Sequence, residues 1–324
     1  MAERFCDIGG AITLCYETFG SESDPPMLLI MGLGTQMIGW PDEFCAQLAE
    51  RGFYVVRFDN RDIGRSTRIH GRPPTVGQLL ARRIRPVLYD LGDMAGDAAG
   101  LVRKLGIEPV HVVGVSMGGM IAQTFAARYP DLTRSLVSIM SNTGSRWSGQ
   151  PSARIYPYLL RRAPEDRDGY IETSCRAYAA IGSTGLPFDA GRVRDMVTRS
   201  YDRGHDPEGP GRQLGAIIAS GDRTAELRTI TAPTLVIHGS KDPMVSPSGG
   251  RATAKAIPGS RLVTIEGMGH DLPEAAWPQL VPAIADHAHA ADRAAAGDGA
   301  PAAGDSAPPA ADAAPPAGAP VTPS

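Results

Sequence analysis

Gly114-Val115-Ser116-Met117-Gly118 follows directly on the apolar run Val110-His111-Val112-Val113. A β-branched run reads as a buried strand, and Gly-x-Ser-x-Gly at its end reads as a sharp strand-to-helix turn. The flanking glycines let a strand and a helix approach closely, and the central residue is held in strained backbone geometry above the sheet edge. Gly119 to Tyr129 suits a helix, stopped by Pro130. The motif points to an α/β architecture and offers Ser116 as a nucleophile. A serine hydroxyl is weak at neutral pH, so the chain must also supply a base, an orienting acid and an oxyanion site.

Strand and helix patterns alternate on both sides of this turn. Ala11 to Tyr16 reads as an edge strand; Pro26 to Met31, Tyr54 to Phe58, Ser135 to Met140, Thr234 to His238 and Arg261 to Ile265 read as further strands. Helices are expected around Asp42 to Glu50 and Asp93 to Leu105. Such alternation implies a mostly parallel twisted sheet covered by helices on both faces. Between Asn142 and Arg228 it breaks. That stretch is rich in Arg, Tyr and Pro, with helical patches at Ile171 to Ile181 and Ala190 to Tyr201 and no convincing strand. An insertion leaving the sheet at the carboxyl ends of its strands lies over the edge where ligands bind, and is expected to be a helical cap. Residues 1–141 and 229–293 then form the core domain and 142–228 the cap. From Ala294 to Ser324 the chain is almost entirely Ala, Pro, Gly and Asp, which buries too little apolar surface to order, and a disordered tail is expected.

Of seven histidines, His270 is the expected base, because Gly267-Met268-Gly269-His270 lies just beyond the last strand. His111 begins the nucleophile strand and reads as a packed core histidine. His238 is expected to support its loop. His70 and His205 fall in polar loops, and His287 and His289 flank the tail without the spacing of metal ligands. The orienting acid is expected at Asp242, after the penultimate strand on the same rim, with Asp222 and Glu266 as outsiders. The oxyanion donors are expected to be the N–H of Met117, at the positive end of the following helix, and that of Leu33 in the Gly32-Leu33-Gly34 loop. Gly32, Trp40 and Trp147 are expected to meet the substrate.

The 324 residues carry a net charge of -3, so no basic excess speaks for nucleic acid or an anionic membrane surface. Four scattered cysteines, Cys6, Cys15, Cys45 and Cys175, fit free thiols in a reducing compartment. No apolar run approaches the roughly 20 residues that cross a bilayer, and the amino terminus lacks a signal-like apolar segment. A cytoplasmic enzyme acting on a small-molecule substrate, without cofactor or metal, is the expectation.

Together these residues resemble the α/β-hydrolase fold family from about Ala11 to His287. Asp59-Asn60-Arg61-Asp62-Ile63-Gly64-Arg65-Ser66 is similar to that family's Asp-x-Arg-x-x-Gly-x-Ser loop, which is structural and borders the site. Within the family the chain is similar to actinobacterial ester hydrolases of the aclacinomycin methylesterase type. That likeness rests on Met31-Gly32 with Gly39 to Phe44, on Pro187-Phe188-Asp189, on Ala225 to Arg228 and on Gly267 to His270. The resemblance implies Ser116 as nucleophile, Asp242 as acid, His270 as base, and Leu33 and Met117 as oxyanion donors. Met31 stands where the family usually has histidine, and Leu33 where it has a small residue, which narrows the acyl side of the pocket.

The expected activity is carboxylic ester hydrolysis, of a methyl or small-acyl ester, through an acyl-enzyme on Ser116. Perhydrolase or haloperoxidase activity and carbon–carbon bond hydrolysis use the same triad. A ligand-binding receptor is the alternative outside enzymes, disfavoured by the complete set of three groups.

Overall fold

In the computed structural model, which describes residues 2–159 and 164–297, eight strands form one sheet. They are β1 (Arg4–Gly9), β2 (Ile12–Phe19), β3 (Pro26–Ile30), β4 (Tyr54–Phe58), β5 (Val110–Val115), β6 (Thr133–Ile139), β7 (Thr234–Gly239) and β8 (Arg261–Ile265). Their spatial order is β1-β2-β4-β3-β5-β6-β7-β8. The β1–β2 and β2–β4 pairs are antiparallel and all others parallel. β4, β5 and β7 are buried at every residue, as a strand covered on both faces must be.

Alternating side chains divide between two cores. Leu28, Val56 and Val112 face the helices Leu91–Leu105 and Met117–Arg128. Leu29, Val55 and Val113 face Asp42–Ala49 and the C-terminal helix Trp277–Ala296. Helix Leu91–Leu105 starts on a capping box, Asp90 with Asp93, and stops at Gly106 in the left-handed conformation. All the loops of interest leave the carboxyl ends of parallel strands and therefore share one rim.

The expected edge strand is corrected. β1 lies outside it, and β2 begins only at Ile12 because Ala11 (φ 63°) sits in the turn joining the two. Edge position explains the omission, since the residues of β1 are exposed or half-buried and carry no apolar run.

Between β6 and β7 the chain forms the helices Tyr156–Leu159, Arg167–Ile181, Ala190–Arg203, Gly209–Ser220 and Thr224–Leu227, with no strand among the described residues. The fourth was not expected, because its Gly209-Pro210-Gly211 start reads as a loop. The last packs against helix Met117–Arg128, with Leu227 in the core. Arg223 anchors it there: buried, its guanidinium donates to the carbonyls of Met120 (3.1 Å) and Asn142 (2.7 Å) and to Gln123 Oε1 (2.8 Å). At the other end of the chain, Ala294 to Ala296 complete the C-terminal helix and Gly297 ends it, so the first residues of the expected tail are helical. The rest of that tail, 298–324, lies outside the described residues.

Candidate active site

Ser116 sits at φ 55°, ψ −119°, between the end of β5 and the first turn of Met117–Arg128. No ordinary L-residue adopts that conformation without strain, and its surroundings hold it there. Its N–H donates to Ile139 O of β6 (2.9 Å), and its carbonyl accepts from Met120 N (3.1 Å). A Cβ on Gly114 would meet Gly118 O at 2.1 Å, and one on Gly118 would meet Ile30 O at 2.1 Å. Both positions of the motif are glycine because backbone already occupies the space.

His270, beyond β8, places Nε2 2.9 Å from Ser116 Oγ and Nδ1 2.7 Å from Asp242 Oδ2. Asp242 is buried, and its other oxygen accepts the N–H groups of Met244 (2.9 Å) and Val245 (2.8 Å). Burial pushes this carboxyl up, but the His270 and His238 rings beside it prevail and hold it at about 2. The acid is thus ionised wherever an imidazole titrates, and it fixes the His270 tautomer with Nδ1 protonated and Nε2 free to accept from the serine. Residues 116, 242 and 270 are brought together as a hydrogen-bonded chain.

The loop after β3 passes over this array. A Cβ on Gly32 would lie 3.7 Å from Ser116 Oγ, so the backbone leading into Leu33 runs beside the serine. Met117 is the first residue of the helix after the serine, its side chain in the core and its amide in the first turn, where N–H groups have no helical partner.

Ser116 and His270 open into a cleft of about 1330 Å³. Gly32 and Leu33 line it with them, as do Tyr158, Tyr170, Tyr178 and Phe188 of the insertion. The expectations for two tryptophans are corrected. Trp40 is 0% exposed and does not line the cleft; it packs on Phe44 (5.5 Å between centroids), which packs edge-on against Trp277 (5.6 Å). Trp147 is 88% exposed, also outside the lining. An aromatic in a loop can turn toward core, cleft or solvent, and spacing does not choose between them.

His70 is exposed, and most of the other histidines have structural partners. His111 is buried, bonded to Ser135 Oγ (2.8 Å) and Asp292 (3.2 Å), and burial pushes it down to about 4, so the Asp292 contact is a hydrogen bond from an uncharged imidazole rather than an ion pair. His238 Nε2 lies 2.8 Å from Val245 O and 3.4 Å from Asp242, bracing the acid's loop. His205 lies in the loop after helix Ala190–Arg203 as expected, its ring stacked on Tyr201 (5.0 Å between centroids), tilted against Tyr170 (4.5 Å) and bordering the cleft. His287 and His289 contact the backbone carbonyls of Pro233 and Arg51, and no metal-binding cluster occurs among the described residues. Asp222 and Glu266 are exposed. The Asp59 loop is structural as the resemblance implied: Asp59 accepts the N–H of Met37 (2.7 Å) and pairs with Arg203 (3.0 Å).

What sequence reasoning missed lies in the insertion. Ile181 O accepts the His270 N–H (2.8 Å), and Ser183 Oγ accepts the Gly269 N–H (2.8 Å) while donating to Asp271 (2.5 Å). Gly185 N donates to Gly267 O (3.0 Å), at a contact so close that a Cβ on Gly185 would meet Gly267 Cα at 2.5 Å. The loop carrying His270 is thus moulded against the insertion, and no local pattern announces contacts of this range.

Residues 25–274 match the α/β hydrolase fold family, and the chain belongs to it. It is 30% identical over 301 residues to the rhodomycin D methylesterase DnrP of Streptomyces peucetius, spanning 86% of this chain and 96% of that protein. It is 25% identical over 252 residues to the bifunctional esterase/perhydrolase DCH of Acinetobacter calcoaceticus, spanning 72% and 83%. Among solved structures, the 2-hydroxy-6-oxo-6-phenylhexa-2,4-dienoate hydrolase from Rhodococcus sp. strain RHA1 shares the fold with a TM-score of 0.72 at 20% identity, over 89% of this chain and 99% of that one. Family and relatives together put the chain among the carboxylic ester hydrolases. No helix among the described residues is long and apolar enough to cross a membrane.

Proposed function

We propose that this enzyme cleaves esters through an acyl-enzyme on Ser116. His270 Nε2 takes the hydroxyl proton as Ser116 Oγ attacks the ester carbonyl, and ionised Asp242 stabilises the imidazolium that forms. The oxyanion is received by the N–H groups of Leu33 and Met117, donors that cost no reorganisation when charge develops. Collapse breaks the ester bond, and His270 returns the proton to the departing alcohol. Water, deprotonated by the same ring, then attacks the acyl-serine, releasing the carboxylic acid and restoring the hydroxyl.

The observation that carries this reading is the unbroken chain Ser116–His270–Asp242, with both ring nitrogens within 2.9 Å of their partners. Its test is Ser116→Ala, expected to lower kcat for p-nitrophenyl acetate by about 10⁵–10⁶-fold at unchanged melting temperature. In parallel, a fluorophosphonate probe should attach to Ser116 of the wild type. Substantial turnover by the variant would overturn the assignment.

For substrate, we propose a methyl ester of a bulky, largely apolar acid. The cleft's volume and aromatic lining support a large acyl group, and the methylesterase relatives support a small alcohol. The insertion is then the cap that selects the acyl part. Hydrolysis of methyl naphthoate faster than of methyl acetate supports it; the reverse preference counts against it. The free thiols support a cytoplasmic location.

A further inference from the structure

The loop that follows β3 has to present one amide toward the serine with little angular freedom, since a displacement of about 1 Å in such a donor costs on the order of 10²-fold in rate. Its own bonds hold it loosely. Thr35 N reaches Gly32 O at 3.3 Å, and Thr35 Oγ1 reaches Leu33 O at 3.3 Å. Gly34, immediately after Leu33, is in the left-handed conformation (φ 67°), which allows the turn but does not fix it.

The firmer hold comes from the insertion. Gln213, on helix Gly209–Ser220, is 0% exposed. Its Oε1 accepts the Gly34 N–H at 2.9 Å, and its Nε2 donates to Arg61 O at 2.9 Å. Each half of the amide meets a backbone group of opposite polarity, so a flipped side chain would set donor against donor and oxygen against oxygen. One buried side chain therefore clamps the post-β3 loop to the loop containing Asp59 to Ser66. An apolar residue of the same size would fill the space but strand the Gly34 N–H and the Arg61 carbonyl. Gln213 does not line the cleft, although its neighbours Pro210, Gly211 and Leu214 do. It has no route to the substrate except through the loop it holds.

We infer that Gln213 is a positioning residue for the oxyanion site: it fixes the Leu33–Gly34 backbone, so that an insertion helix sets the geometry of transition-state stabilisation. This rests on the reading of Leu33 as an oxyanion donor.

Gln213→Leu is the test. The expected result is a fall in kcat for p-nitrophenyl acetate of about 10- to 100-fold, with KM within about twofold of wild type. Affinity for a trifluoromethyl ketone, whose adduct with serine carries the oxyanion, should fall by a similar factor. Gln213→Glu keeps an acceptor for Gly34 and should recover part of the lost kcat. Where the leucine variant does not fold, Gln213→Met takes its place, closer in shape to glutamine and equally without a polar group. Wild-type kcat in either apolar variant overturns the inference, as does a loss confined to KM with ketone affinity intact. Wild-type turnover and its abolition by Ser116→Ala are measured alongside. If those hold while Gln213→Leu is silent, only the role of Gln213 falls; if they fail, the ester mechanism itself falls.

Discussion

On the sheet side of the cleft, Ser116 and Asp242 follow strands buried along their whole length and His270 follows the edge strand β8, all three fixed by backbone bonds and by glycines with no room for a Cβ. On the facing side, the insertion helices Arg167–Ile181 and Ala190–Arg203 bury few residues and carry exposed pairs such as Arg167–Asp202 (2.8 Å) and Arg194–Glu172 (3.1 Å). Exposed pairs of this kind contribute little to stability. The sheet side has one permissible arrangement because strand pairing and close packing leave no other. The insertion is tied to the core by individual long-range contacts, among them Arg203 with Asp59, Gln36 with the Ser200 carbonyl, Arg223, Gln213 and the Ser183–Gly185 contact with the loop of His270. The proposed ester chemistry falls in the first region and the proposed substrate choice in the second, with the points of attachment as the exception.

The comparison can be broken at its strongest point by Asp242→Asn. The amide keeps the shape but not the charge or the tautomer control, and kcat should fall about 10⁴-fold, measured at pH 7 with little change in melting temperature. A fall of less than tenfold would mean the sheet side tolerates more than its geometry suggests.

A second effect concerns stability. Burial holds His111 at about 4, below its ordinary 6.5, so the folded protein binds this proton less readily than the unfolded chain. Its contribution is complete above pH 6.5 and is lost as pH falls toward 4. The shift corresponds to about 3 kcal/mol at most. His111→Gln should be less stable than wild type at pH 7, and the gap should narrow by pH 4.5 in denaturant titrations. A constant gap would remove proton linkage from the account of this core.

The smallest effect is expected across the cleft. Phe188→Ala should raise KM for a bulky aromatic ester by about tenfold while leaving p-nitrophenyl acetate kinetics and melting temperature near wild type. Equal losses on both substrates would show that this wall also supports the chemistry.

How much of this was readable in the chain follows the same division. Ser116, Asp242 and His270 each come shortly after an apolar run broken by glycine, and that local pattern is what a strand end imposes. β1 escaped notice because an exposed edge leaves no such run, and the helix bearing Gln213 because its first residues are those of a loop. Trp40 and Trp147 look alike in sequence, yet one is in the core and the other in solvent.

The amino-acid order by itself determined the strands, the strained turn and the three residues proposed to react, since periodicity and turn chemistry act over a few residues. Only the tertiary structure decided which insertion residues meet the loops around the serine. Gln213 and Gly34 stand 179 residues apart, and their bond exists because two separately formed surfaces close on each other, an event that leaves no trace in local pattern.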